Sequence, residues 1–347
     1  MMKTTLILPA LFLFVQSVAQ ESVGVQLPDS NTINTWLSEN QVPAIAIGTI
    51  DQGKLNPFIV HGKNGEDQKV GSKTIFDVAS LTKTITTLLT LKLVENKSWN
   101  LDEPLSKYWI DPEISNDQLH KKLTTRHVLS HQTGFKNWRW MNEDKKLAFD
   151  FEPGTKFQYS GEGFEYLRKA LEKKYDTPFE NLVDSLVFDR MGMNRSHLVW
   201  NSTMDNEQFA GTHDKSGKPY TYEKAFEANA ADNLLTTIED FSMLALQLIH
   251  NEYLNKGTYS EMVEPQSVVR EGINFGLGWI VFNDLPNNEY ALFNAGSDKG
   301  VNALIVLLPK SKRSLIVMTN GDNGRGLAMK TIGLTLGTAG QEILNRF

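Results

Sequence analysis

Strand-forming residues sit at both ends of this chain, and the residues between them follow helical spacing. Residues 44–50 and 58–61 are short apolar, β-branched runs around a turn at Asp51-Gln52-Gly53. Residues 277–282, 290–293, 303–308 and 314–319 are four more such runs. Turn clusters such as Asn283-Asp284-Leu285-Pro286-Asn287-Asn288 separate them. Between the two sets, residues 76–97 switch period: Leu81, Ile85, Leu88, Leu89 and Val94 recur at three- and four-residue steps. Residues 101–250 are mostly helix and loop. Phe164, Leu167, Leu171 and Tyr175 mark one amphipathic helix. Residues 237–250 mark another, opened by Thr237 and Asp240 at capping-box spacing, with Asp in place of Glu or Gln. A short helix ends over 33–38, and 326–347 closes the chain as a helix. This order predicts an α/β (α+β) fold: an antiparallel sheet built from both chain ends, flanked by helices, with an inserted helical lobe. The sheet lobe spans about 20–79 and 251–347 and the helical lobe about 80–250, with a cleft between them. The helix at 76–97 is rich in threonine (Thr82, Thr84, Thr86, Thr87, Thr90). Threonine is a mediocre helix former, so tertiary burial is expected to hold it.

The N-terminus carries a second pattern. Lys3 gives a small positive region, residues 6–15 are apolar, and Ser17 and Ala19 are small residues where a signal peptidase reads them. This predicts a signal peptide over 1–19, cleavage before Gln20, and a mature periplasmic or secreted protein over 20–347. The apolar run is shorter than the roughly 20 residues of a membrane span, and no later stretch reaches that length. No stable span is expected after signal removal. A formal net charge of −6 and the lack of any polybasic run argue against nucleic acid or anionic membrane as a partner. With no cysteine in the chain, a thiol nucleophile, a lipoprotein anchor and a Cys-ligated metal are all removed. A core of this size folds without disulfides.

Ser80-Leu81-Thr82-Lys83 opens the threonine-rich helix. Three apart on a helix, Ser80 and Lys83 share a face, with Cβ atoms about 5–6 Å apart. A charged lysine is a poor base at neutral pH. Burial and the positive end of a helix dipole both disfavour the charged form. A neutral Lys83 takes the Ser80 proton as the hydroxyl attacks a carbonyl. The Ser80 amide lies where helix N–H groups lack internal partners and so receives oxyanion charge. Alone, this four-residue pattern is expected about once by chance in a chain of this length. A Ser cap followed by an exposed lysine is the plain alternative, and context decides between them.

Four further segments supply that context. Phe76-Asp77-Val78-Ala79 leads into the Ser-x-x-Lys element. Leu123-Thr124-Thr125-Arg126-His127-Val128-Leu129-Ser130-His131-Gln132-Thr133-Gly134-Phe135 follows, then Pro153-Gly154-Thr155-Lys156-Phe157-Gln158-Tyr159-Ser160, then Phe275-Gly276-Leu277-Gly278-Trp279. In this order they resemble the serine β-lactamase and penicillin-binding superfamily, in its class C-like branch. That branch also holds D,D-carboxypeptidases, D-amino-acid peptidases and esterases. The resemblance runs from about Ala44 to Asn323. It implies a β-lactamase/transpeptidase-like fold with Ser80 as nucleophile and Lys83 and Tyr159 as proton movers. It also implies the amides of Ser80 and Ser297 as oxyanion donors, with no cofactor and no metal.

Two positions depart from the family pattern. Its second motif, Tyr-x-Asn, is here Tyr159-Ser160-Gly161, so the substrate-orienting amide is missing at Gly161; Glu162 is the adjacent polar stand-in. Its third motif, Lys-Thr-Gly or His-x-Gly, is here Asn294-Ala295-Gly296. Asn294 donates hydrogen bonds but carries no charge; Lys299, three residues past Gly296, is the nearest route to restoring one. Trp138 and Trp140 follow Gly134-Phe135 in a loop that borders the cleft in relatives. They are candidate substrate walls, although aromatics there are more often packing. Tyr253-Leu254-Asn255 and Lys215-Ser216-Gly217 match the motifs literally but fall at a predicted helix end and in a polar turn. His127 and His131 lack the glutamate and third ligand of a zinc site. Asn320-Gly321-Asp322-Asn323-Gly324 lacks the Lys-Ser/Thr of a nucleotide loop and reads as a turn.

The expected function is an exported serine hydrolase that cleaves an ester or amide through an acyl-enzyme. It is esterase- or D-amino-acid-peptidase-like and weak on β-lactams, because a neutral Asn294 replaces a carboxylate-binding cation. The substrate is a small molecule or peptide, cell-wall peptides included. A β-lactamase or D,D-carboxypeptidase is the nearest alternative. A non-catalytic binding or sensing protein of the same fold is the alternative from another class.

Overall fold

Strands from the two ends of the chain meet in one sheet. The computed structural model describes residues 27–65, 68–201, 204 and 208–347; the expected signal peptide lies outside these residues. Helix α1 (Ser30–Asn40) is capped by Asp29, whose Oδ1 accepts from the Thr32 N–H at 2.8 Å. It leads into β1 (Ala44–Asp51), β2 (Lys54–Leu55), β3 (Ile59–Gly62) and β4 (Ile75–Asp77), then α2 (Thr82–Glu95). The middle of the chain forms α3 (Thr125–Leu129), α4 (Gly161–Tyr175), α5 (Phe179–Val183), α6 (Asp189–Met191), β5 (Leu235–Thr237), α7 (Ile238–His250) and α8 (Lys256–Val263). The chain then returns as β6 (Ser267–Arg270), β7 (Ile273–Phe275), β8 (Ile280–Leu285), β9 (Glu289–Asp298), β10 (Val301–Leu308) and β11 (Arg313–Thr319). Helices α9 (Gly324–Thr335) and α10 (Gly337–Asn345) close it.

Among the described residues the main sheet has nine strands in the order β2-β1-β11-β10-β9-β8-β7-β6, with β3 sharing the outer edge of β1 with β2. Its pairings are antiparallel. The N-terminal β1 is zipped to the C-terminal β11, Ile45 opposite Thr319 and Ile50 opposite Ser314. The central strands are covered on both faces, so they read as near-continuous apolar runs rather than alternating ones. Side chains alternate across the pleat. Ala303, Ile305 and Leu307 of β10 face a core shared with α2 and α7, whereas Leu304, Val306 and Leu308 face a second core with α1, α9 and α10.

Residues 82–93 of α2 are all buried, as the threonine-rich helix requires. Two of its threonines meet irregular backbone. Thr86 Oγ1 donates to the Ala230 carbonyl at 2.6 Å, and Thr82 Oγ1 accepts from the Leu234 N–H at 2.9 Å. A small β-branched hydroxyl packs against irregular backbone while satisfying it, which leucine cannot do.

Four local expectations change. Phe76 and Asp77 belong to β4, paired with β5 in a separate two-stranded sheet, and a single 3-10 turn over Ala79–Leu81 joins that strand to α2. The helical region runs past residue 250: α7 is capped by Asn251, and the separate helix α8 follows a turn. The closing helix is two, broken where Gly337 takes φ +59°. At α7 only half of a capping box forms: Thr237 Oγ1 accepts from the Asp240 N–H at 3.1 Å, but Asp240 turns its carboxylate to the Arg195 N–H and the Ser196 hydroxyl.

Candidate active site

The turn that carries Ser80 is strained and braced. Ala79 sits at φ +46°, a left-handed conformation rare for a residue with a Cβ. Asp77 holds it there: its Oδ1 accepts from the Ala79 N–H at 2.8 Å and its Oδ2 from the Tyr222 hydroxyl at 3.0 Å. This leaves Ser80 half-buried at the mouth of α2. Lys83, one turn on, is 2% exposed; its Nζ lies 3.0 Å from Ser80 Oγ and donates to the Ala231 carbonyl at 2.8 Å. The same Nζ lies 4.9 Å from the centre of the Tyr159 ring and 5.8 Å from that of Phe164. Ser80 and Lys83 from one motif and Tyr159 from a second therefore converge.

Tyr159 rests on His131, ring centroids 4.2 Å apart. His131 Nδ1 accepts from the Ser160 N–H at 3.1 Å, which fixes the backbone next to Tyr159. Burial, then the charge of Lys83, hold the His131 imidazole well below its usual range, so it is neutral. His127 instead completes the cap of α3 with Thr124.

β9 forms the opposite wall. A Cβ on Gly296 would lie 1.9 Å from the Val78 carbonyl oxygen and 3.0 Å from the Ser80 nitrogen. Only glycine lets the strand approach the Ser80 turn this closely. Ser297 is exposed beside it, with its hydroxyl donating to Asn302 Oδ1 at 3.0 Å.

Several expected binding residues are placed otherwise. Asn294 is engaged within the fold. It is 7% exposed, and its amide hydrogens go to Thr84 Oγ1 at 3.0 Å and the Gly278 carbonyl at 3.1 Å. It ties β9 to α2. Glu162 is no stand-in either, because its carboxylate is held by the Arg139 guanidinium and the Arg139 N–H, at 2.6–2.9 Å. Trp138 packs over Gly161, where a Cβ would lie 2.8 Å from the indole. Trp140 is 63% exposed, on the surface of the Arg139–Met141 turn. Lys299 Nζ lies over the Tyr220 ring, 4.3 Å from its centre. Of the two literal motif matches, Tyr253 is buried with its hydroxyl donating to the Leu186 carbonyl, and Ser216 closes a turn on Asp214.

Three carboxylates were not singled out from the sequence. Burial, then the negative charge of Asp232, push Asp77 up to about 7. Burial pushes Asp232 up to about 6 against the pull of Lys83, and Asp298 adds to both. Unfolded, Asp77 ionises near about pH 4. As pH rises from about 4 to about 7 the unfolded chain releases this proton before the folded one does, so stability falls through that window. The melting temperature is expected to drop between about pH 5 and about pH 7.5, and Asp77→Asn to flatten the drop. An unchanged slope in the variant, read by thermal denaturation across that range, would assign the effect elsewhere.

A family model described as Beta-lactamase matches residues 18–336. "Beta-lactamase" of Escherichia coli (strain K12) is 23% identical, over 94% of this chain and 90% of that one. "Protein flp" of Staphylococcus aureus (strain MRSA252) is 20% identical over 82% of this chain, which spans 60% of that protein's length. Among solved structures, the octameric penicillin-binding protein homologue from Pyrococcus abyssi superposes with a TM-score of 0.76, 22% identity and 90% and 77% coverage. A class C beta-lactamase superposes with a TM-score of 0.73, 20% identity and 87% and 94% coverage. Like them, this chain builds its sheet from both of its ends. The chain belongs to the beta-lactamase family of serine hydrolases and has the class C β-lactamase/penicillin-binding-protein-like fold.

Proposed function

We propose that the protein is an acyl-transferring hydrolase that works through an ester on Ser80. The observation that carries this is the 3.0 Å contact between Ser80 Oγ and the buried Lys83 Nζ, which the Ala231 carbonyl keeps aimed. The step runs from the neutral amine of Lys83: Ser80 Oγ attacks the acyl carbonyl as its proton passes to Lys83 Nζ. Tyr159 delivers a proton to the leaving group as the tetrahedral intermediate collapses. Water then attacks the ester with the proton transfers reversed, regenerating Ser80. The N–H groups of Ser80 and Ser297 hold the oxyanion in both halves.

The substrate is an ester or amide without a free carboxylate beside the scissile bond. Asp232, which feels the charges of both Lys83 and Asp298, adds negative rather than positive charge near Lys83 once pH passes about 6. Asn294 supplies no charge, and Lys299 is laid on Tyr220. The test is kcat/KM for matched chromogenic esters with and without a free carboxylate. Wild type is expected to favour the uncharged ester by about tenfold or more, and Lys299→Ala to leave that ratio unchanged. A wild-type preference for the carboxylate form would overturn the substrate reading. Turnover of neither ester would overturn the hydrolase.

A further inference from the structure

Ser160 is extended, at φ −143° and ψ 115°, so the Cβ directions of residues 159 and 161 leave on one side of the chain and that of Ser160 on the other. Tyr159 faces Lys83. Ser160 is turned inward, its hydroxyl accepting from the Gly163 N–H and donating to the Lys136 carbonyl, each at 3.0 Å. A side chain at 161 would therefore enter the cleft beside Tyr159. Gly161 has none, and its place is taken. A Cβ there would lie 3.2 Å from Asn137 Oδ1 and 2.8–2.9 Å from the Trp138 ring.

The Asn137 carboxamide is fixed in orientation. Its Oδ1 accepts from the Gly161 N–H at 2.8 Å, and its backbone carbonyl accepts from the Glu162 N–H at 2.8 Å. Because an N–H needs an acceptor opposite it, Oδ1 must face Gly161 and Nδ2 must point away. That Nδ2 has no hydrogen-bond partner among the described residues, and Asn137 is half-buried. A half-buried amide with two unused hydrogens, its oxygen and its own backbone carbonyl both engaged by the first turn of α4 just past Tyr159, is preorganised to donate.

We propose that Asn137 Nδ2 donates to a carbonyl on the acyl side of the substrate, so that residue 137 performs the orienting task for which residue 161 has no side chain. This rests on the hydrolase reading and narrows it: preferred substrates carry an amide carbonyl within a few bonds of the scissile one, as N-acylated amino acids and peptides do. Asn137 acts here as a specificity determinant.

The test compares the p-nitrophenyl esters of N-acetylglycine and of pentanoic acid, chains of equal length with and without that carbonyl. Asn137→Asp keeps an acceptor for the Gly161 N–H and loses both donor hydrogens; Asn137→Ala loses all three. Each is expected to lower kcat/KM on the acetylglycine ester about tenfold and to change the pentanoate by less than about threefold. Melting curves recorded alongside report whether the loop stays braced in the Asp variant. Equal losses on the two esters in Asn137→Asp would show that the residue only braces the loop and would overturn the proposal. So would an unchanged ratio. If wild type hydrolyses neither ester and takes no label from a fluorophosphonate, the hydrolase reading itself falls, and this inference with it.

Discussion

Ser80→Ala is expected to abolish covalent labelling by a fluorophosphonate and to lower kcat on a chromogenic ester by about ten-thousandfold or more. The fold should survive. Lys83 keeps its bond to the Ala231 carbonyl, and the lost hydroxyl is half-buried, at the cleft. Lys83→Met retains most of the buried stem's volume and removes only the amine, so it is expected to cost nearly as much activity with little loss of melting temperature. Tyr159→Phe should cost less, since the ring stays seated on His131. Groups that move one proton in relay are not additive, so the Lys83→Met, Tyr159→Phe double variant should be little worse than Lys83→Met alone. Label that persists in Ser80→Ala would place the nucleophile elsewhere. Fully additive losses would separate Tyr159 from the lysine's proton path.

Gly296→Ala is expected to lower kcat by about a hundredfold, the scale set by misplacing catalytic groups by about 1 Å. The added methyl would overlap the Val78 carbonyl, 1.9 Å away, and crowd the Ser80 nitrogen at 3.0 Å. The strand and the turn must then part by roughly an ångström to restore an ordinary contact, and overpacking of this kind costs about 1–3 kcal/mol. The turn is the weaker party, because Ala79 is already held at φ +46°. Activity is therefore expected to fall much further than stability. Kinetics together with a melting curve check this, and kcat within about threefold of wild type would mean that β9 moves away without disturbing Ser80.

What was legible in the sequence follows from how each feature is encoded. Strands β9, β10 and β11 are sandwiched between two cores, so their burial leaves contiguous apolar runs. The two-residue β2 and three-residue β4 and β5 are too short to carry a period. The convergence of Ser80, Lys83 and Tyr159 was readable because Ser80 and Lys83 share a helical face and Tyr159 ends a recognisable approach. Asp77, Asp232 and Asp298 come from three distant segments and meet only in the fold. Asp77 alone left a trace, an aspartate two residues before the backbone N–H it accepts from, the spacing of an Asx-turn. Asn294 looked available because its motif lines the cleft in relatives; burial against Thr84 is a property of packing that no motif shows. The gap at Gly161 was visible, but its filling by Asn137 and Trp138, more than twenty residues earlier, was not.

The zipper between β1 and β11 also fixes when the molecule can exist. The Ala44 N–H donates to Asn320 Oδ1 across 276 residues of chain. A ribosome must release nearly the whole polypeptide before the central pairing can form. Until then β1 can pair only with β2 and β3, and the edge that takes β11 stays open. Closing so large a loop slows folding, because its entropy is lost before the contacts repay it. A chain that folds late stays threadable through a narrow pore for as long as its last strands are unmade.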